Sequence, residues 1–268
     1  MTDLLRPAHH DPTHHDADRP VEHHENGSIP MSTTTPTYAV PVPALPYDEG
    51  VTTAGRARPV ATGRGWTWAG ICAGVNGLLT FVVAGGVYAE KEDMIDNVRV
   101  VDAVHGAANL VWAYQVLGVA TAAALVIFAL GLKRRLEQQE PVGSLTPAVA
   151  SSGLVLTAAM CLVGSGICTE LFHSLRHASE TDPDTIAANL GIFNTMGWVW
   201  AAAGLATASV WSAARRGSVG RGLGRASLAA TALIVLTQVT PFQYMALLPA
   251  ALWLVYAGIS FAKAEGRG

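Results

Sequence analysis

The sequence predicts an all-α, polytopic membrane protein: six transmembrane helices in a bundle, with both chain ends on the cytoplasmic side. Three observations predict it. Of 268 residues, 50% are hydrophobic and only 14% charged, whereas soluble domains carry about a quarter charged residues. The apolar residues gather in long blocks after Gly65, and a chain crossing lipid must satisfy its backbone polar groups internally, which selects helices. Twelve Lys and Arg residues flank the blocks on one side of the six-crossing layout, against Lys91, Arg99 and Arg176 on the other. Basic residues collect on the cytoplasmic side. The expected location is therefore the cytoplasmic (inner) membrane, as a multi-pass protein whose first partner is the lipid bilayer.

Residues 1–64 hold nine of the fourteen prolines and few large aliphatic residues, a composition that cannot bury enough apolar surface to offset its ordering entropy. They are expected to form a disordered, His- and Pro-rich cytoplasmic tail. No signal-peptide core is present in it, so the first membrane helix is expected to serve as the targeting signal. Met31 is an alternative start. His9, His10, His14, His15, His23 and His24 alternate with acids, and such a tract either binds divalent metal loosely or stays a solvated low-complexity segment.

The membrane domain is read as residues 65–263, followed by a cytoplasmic end, 264–268. Span one runs from about Trp66 to Tyr88, with Trp66 and Trp68 as an interfacial pair, and with Gly70 and Gly74 spaced for close helix approach. Asn76 is expected to bond a partner helix. An acidic connection, Glu90 to Asp102, leads to span two, about Ala107 to Leu132, which stops at Lys133, Arg134 and Arg135. A short loop, Leu136 to Ser144, precedes Thr146 and Pro147, an N-cap followed by proline at the first helical position. Pro147 through Cys168 carries no charge, enough to cross a bilayer. This third span is read to about Leu171, its helix continuing to His177.

Asp182, Pro183 and Asp184 start the next helix, by proline's tolerance at the first turn and acid's preference for the positive dipole end. Span four covers about Ala187 to Ser212. Arg215, Arg216, Arg221 and Arg225 follow it. The run Ala226 to Ala262 is too long for one crossing and is split at Thr237 to Tyr244, around Pro241, into spans five and six.

Several chemistries lack their residues. A six-span cation transporter needs His and Asp within its helices, and these spans hold none. A rhomboid-type protease needs a membrane histidine to partner Ser165, and spans four to six contain no histidine. Cys161 and Cys168 lie about 10 Å apart along a helix, too far to bridge. Three cysteines, all in apolar runs, indicate no disulfide framework. A net charge of -3 gives no ground for nucleic-acid binding.

One cluster remains. Glu170, His173 and His177 share a helix face within about 60°. Asp102, His105 and Asn109 repeat the three-then-four spacing at the start of span two, and the two antiparallel spans should bring both triplets together at the outer boundary. The candidate metal set is thus Glu170, His173, His177, Asp102 and His105. It would suit zinc or iron, while His105 and His173 opposed could hold haem. The alternative is an interfacial patch of mutually bonded residues paired with Arg176.

Gly131-Leu132-Lys133-Arg134-Arg135-Leu136, Arg221-Gly222-Leu223-Gly224-Arg225 and Leu248-Pro249-Ala250-Ala251-Leu252-Trp253 with Gly258 carry a resemblance in layout, from about Gly65 to Lys263. The chain resembles uncharacterised bacterial six-span integral membrane proteins of high-GC lineages. That resemblance implies architecture and no activity. Three functions stay open: a non-enzymatic sensor, accessory or permease-like protein; a metal or haem protein using the outer cluster; and a small-solute transporter lined by Asn76, Gln115, Asn189 and Asn194. A homo- or hetero-oligomer is compatible with each.

Overall fold

A computed structural model describes residues 65–90 and 92–266; the expectations for the tail, its histidines included, lie outside these residues. The described chain is all-helical: α1 (Gly65–Gly85), α2 (Asn97–Val104), α3 (Ala108–Glu137), α4 (Thr146–Arg176), α5 (Pro183–Thr195), α6 (Ala203–Arg215), α7 (Arg221–Gln238) and α8 (Leu247–Glu265). Short 3-10 segments join several of them. Four stretches are long and apolar enough to cross a membrane: α1, the run Asn97–Glu137, α4, and Gln243–Glu265. The predicted fourth span falls short because the 3-10 segment Met196–Ala202 divides it into α5 and α6, of 13 residues each. The predicted fifth, α7, begins with Arg221 and Arg225 in its first two turns.

The long helices close a ring: α1 packs on α3 and α8, α3 on α4, α4 on α6, α6 on α7, and α7 on α8. Large apolar side chains such as Val82, Ile127, Leu130, Leu162, Leu233 and Leu252 remain exposed around it, as expected of a surface that meets lipid. Gly70 and Gly74 do admit neighbours. A Cβ at Gly70 would stand 2.5 Å from the Phe128 ring of α3, and one at Gly74 2.5 Å from the Ala251 carbonyl oxygen of α8. Asn76 does not bond a partner helix; it is half-buried and has no hydrogen-bond partner among the described residues.

The two ends of the ring differ. At the basic end, the start of α1 meets the end of α8 through a hydrogen bond from Trp66 Nε1 to Glu265 Oε1, 2.9 Å. Trp66 is consequently no interfacial anchor. It is 7% exposed, stacked on Phe128 and tilted against Phe261, while Trp68, 61% exposed, is free to face lipid. Two residues apart on a helix is about 200°, so only one of the pair can face lipid. The same bond carries α8 past the predicted boundary at residue 263. Thr146 is not the N-cap of α4 either: Ser144 Oγ accepts the Thr146 N–H at 3.3 Å, and the Thr146 hydroxyl accepts from Arg216 at 2.6 Å.

At the other end the acidic connection folds. A 3-10 turn, Asp93–Ile95, leads into α2, whose Asp96 caps it by accepting the Val98 N–H at 3.0 Å. Val100, Val101 and Val104 are buried with Ile186, Leu190 and Phe193 of α5 and Leu171 and Leu175 of α4. The start of α5 follows the expectation, with Asp182 as cap and Pro183 in the first turn. Helix lengths explain why a cap exists. At about 1.5 Å per residue, α4 with 31 residues is roughly 47 Å long and α7 with 18 roughly 27 Å, against about 30 Å of hydrocarbon. The turn between α7 and α8 packs against the Met196–Ala202 segment.

Candidate functional site

The structure brings the two outer triplets to neighbouring positions, since the turn His105–Ala107 packs beside α4. The contact is made by other atoms than those expected. Arg176 Nη2 donates to Asn109 Oδ1 at 2.7 Å, and its guanidinium lies 5.4 Å from the Phe172 ring centre. Asp102, His105, Glu170, His173 and His177 are all exposed. Each histidine with a local bond uses it within its own turn: His105 Nδ1 lies 2.7 Å from the Asp102 carbonyl oxygen, and His177 Nδ1 3.1 Å from that of His173. Among the described residues no three His, Cys, Asp or Glu side chains converge as a metal set. The physical reason is the face itself. Leu171, Leu175 and Cys168 are the buried side of α4, so the interleaved Glu170, His173 and His177 turn away from α3.

A second arrangement lies inside the ring. Thr80, Tyr114, Thr121, Cys161, Met196 and Trp200 help to line a cavity of about 20 Å³, roughly the room one water needs. Its two threonine hydroxyls are engaged locally: Thr80 donates to the Gly77 carbonyl and Thr121 to that of Leu117, both at 2.7 Å. Asn76, Gln115, Asn189 and Asn194 do not line it. Elsewhere in the interior, polar groups join helices. Trp253 Nε1 donates to Ser227 Oγ at 2.9 Å, and the Thr207 and Thr231 hydroxyls meet at 2.7 Å. Such bonds hold helices together where no water can replace them.

The basic end holds an ion pair with one buried partner, Glu140, and one exposed, Arg216, and sequence reasoning did not find it. Glu140, with its side chain 1% exposed, takes Arg216 Nη2 at 2.7 Å and Nε at 2.8 Å, both on Oε2. Ser144 donates to the same oxygen at 3.2 Å. Burial alone would push the Glu140 carboxyl up, but the Ser218, Arg216 and Ser144 side chains and the guanidinium charge outweigh it and hold the group below the ordinary glutamate range. The partners are 76 residues apart, and no local pattern announces them. Beside this pair, a groove of about 180 Å³ opens between α6 and α7, lined by Arg215, Arg221 and Arg225 together with Trp211 and Leu228.

Comparison with family models, with curated proteins and with solved structures finds no match to this chain.

Proposed function

We propose that the chain is a six-span inner-membrane protein with both ends cytoplasmic, acting without catalysis as a sensor, accessory or permease-like protein. One observation carries the reading: the ionisable residues of the capped end are displayed on the exposed side of a packed roof, not gathered in a cleft. That roof has its own apolar core and is pinned by Asn97 Nδ2 donating to Asp184 Oδ1 at 2.7 Å. It is a built, charged surface of the kind a partner or a sensed solute meets. For the topology, the bonds from Trp66 to Glu265 and from Arg216 to Glu140 support both termini and both basic connections lying on one side, and the positive-inside rule assigns that side to the cytoplasm.

Reporter fusions after Arg135, Arg216 and Lys263 are expected to read cytoplasmic throughout; an exported signal at Lys263 would remove a crossing from the layout. For the function, metal and haem are to be measured on purified, tag-free protein. Less than a tenth of an equivalent is expected, roughly, since a site lacking converging ligands has little affinity. A full equivalent in wild type that is lost in His173→Ala or Glu170→Gln, yet kept when His9 and His10 are replaced, would overturn the non-catalytic reading in favour of a metal or haem protein.

A further inference from the structure

The four arginines at the α6–α7 connection are not equivalent. Arg216 is spent on Glu140 and also reaches Ser212 Oγ at 2.8 Å. Arg215, Arg221 and Arg225 are exposed, and no carboxylate pairs with them among the described residues, where the ion pairs are Lys133–Glu137 and Arg216–Glu140. All three line the same groove, which has no acidic residue in its wall. Like charges gathered in one groove without counter-charge raise its positive potential and favour an anion among them.

The groove's geometry says which anion. Arg221, Arg225 and Leu228 fall on one face of α7, and Trp211 and Arg215, four apart, on one face of α6. Each face therefore grades from cation at the connection to apolar side chain farther along the helix from it. Arg215 is held 5.4 Å over the Trp211 ring, which fixes its guanidinium beside an interfacial aromatic. The Gly224 position lies against Ala214 too closely to admit a Cβ, so the floor between the two helices is shallow. The first turn of α7 has no side-chain cap, leaving N–H groups directed to the same end. A free phosphate would use the arginines only. A molecule with a phosphate head and an acyl chain would use the whole groove, with Leu228, 44% exposed, beneath the chain.

We propose that Trp211, Arg215, Arg221, Arg225 and Leu228 form a binding site for the phosphate headgroup of an anionic phospholipid. The proposal rests on α6 and α7 lying in the membrane beside the four long apolar helices, as the six-span reading has it, and not on the absence of catalysis.

The test uses the full chain, purified in a neutral detergent, with phosphatidylglycerol and phosphatidylcholine of the same acyl chains as probes and native mass spectrometry as readout. Phosphatidylglycerol is expected to remain bound and phosphatidylcholine to dissociate. The double change Arg221→Gln and Arg225→Gln is expected to weaken phosphatidylglycerol roughly 30-fold, at about 1 kcal/mol for each arginine facing an anionic headgroup. Lys133→Gln with Arg134→Gln, the same charge loss on α3, should change it less than about twofold. Should the double variant aggregate, each single change is expected to weaken binding roughly fivefold. The site is lost if phosphatidylcholine binds as well, if the groove variants bind as wild type does, or if both charge losses weaken binding equally. Full displacement by millimolar inorganic phosphate would instead mean a soluble-anion site, and would also overturn the proposal.

Discussion

Arg216→Ala is expected to be among the most destabilising single changes at the basic end, lowering unfolding free energy by about 3 kcal/mol. The substitution leaves Glu140, with a side chain 1% exposed, without its guanidinium. Its other oxygen, Oε1, is already buried without a hydrogen-bond partner among the described residues. Breaking a buried pair from one side costs about 3–5 kcal/mol, and Arg216 itself is 41% exposed, which places the loss at the low end. It also removes the donor to Thr146 and hence the tie between the α6–α7 connection and the start of α4. Glu140→Gln should cost less, about 1 kcal/mol, because a neutral amide leaves no buried charge behind. Thermal unfolding in detergent checks both: a fall of roughly 6–12 °C for Arg216→Ala is expected at this chain size, and a fall no larger than that of Glu140→Gln would show the pair to be idle.

The same pair sets an acid sensitivity. The folded-state value of Glu140 is depressed, so its contribution is fully present above the unfolded glutamate value of about 4.3 and is lost as pH falls through the lower folded value. Wild type should therefore lose this stability below about pH 4.3, and Glu140→Gln should flatten that part of the profile. Exposed pairs such as Lys133–Glu137, at 3.8 Å, contribute little by comparison.

What the sequence made legible follows from local physics. Asp182 and Pro183 announce a helix start because cap and proline act within one turn, and Thr237 to Tyr244 announce a break because Pro241, with no amide hydrogen to give, sits in a polar run. The outer cluster shows the limit of the same reasoning. Spacing places Glu170 and His173 on one face of α4, with His177 just past its end and all three exposed, but which face meets α3 is decided by Leu171 and Leu175, whose burial depends on α2 and α5 folding over them. A charge count treated Arg215, Arg216, Arg221 and Arg225 alike, since pairing with Glu140 across 76 residues is a tertiary fact. The 3-10 segment was equally hidden. Nothing in Met196–Ala202 forbids an α-helix; it is the turn preceding α8 that packs against it.

That packing makes Gly197→Ala the other change with a large expected effect. A Cβ at Gly197 would run into the Tyr244 carbonyl group. The obstacle is backbone on both sides, so no flexible side chain can swing away, and the Met196–Ala202 segment must part from the Gln243–Ala246 turn. Overpacking of this kind costs about 1–3 kcal/mol and sometimes more. Here it also disturbs Trp200, 3% exposed, and Met196, both of which line the internal cavity. Gly191→Ala in α5 is the matched control: a Cβ there meets nothing within 4 Å, and alanine is favoured over glycine in a helix by about 1 kcal/mol. Thermal unfolding of the two variants should therefore move in opposite directions, Gly197→Ala downward by several degrees, roughly, and Gly191→Ala level or slightly upward. If Gly197→Ala is as stable as wild type, the close crossing between the 3-10 segment and the turn before α8 is not what interrupts this helix.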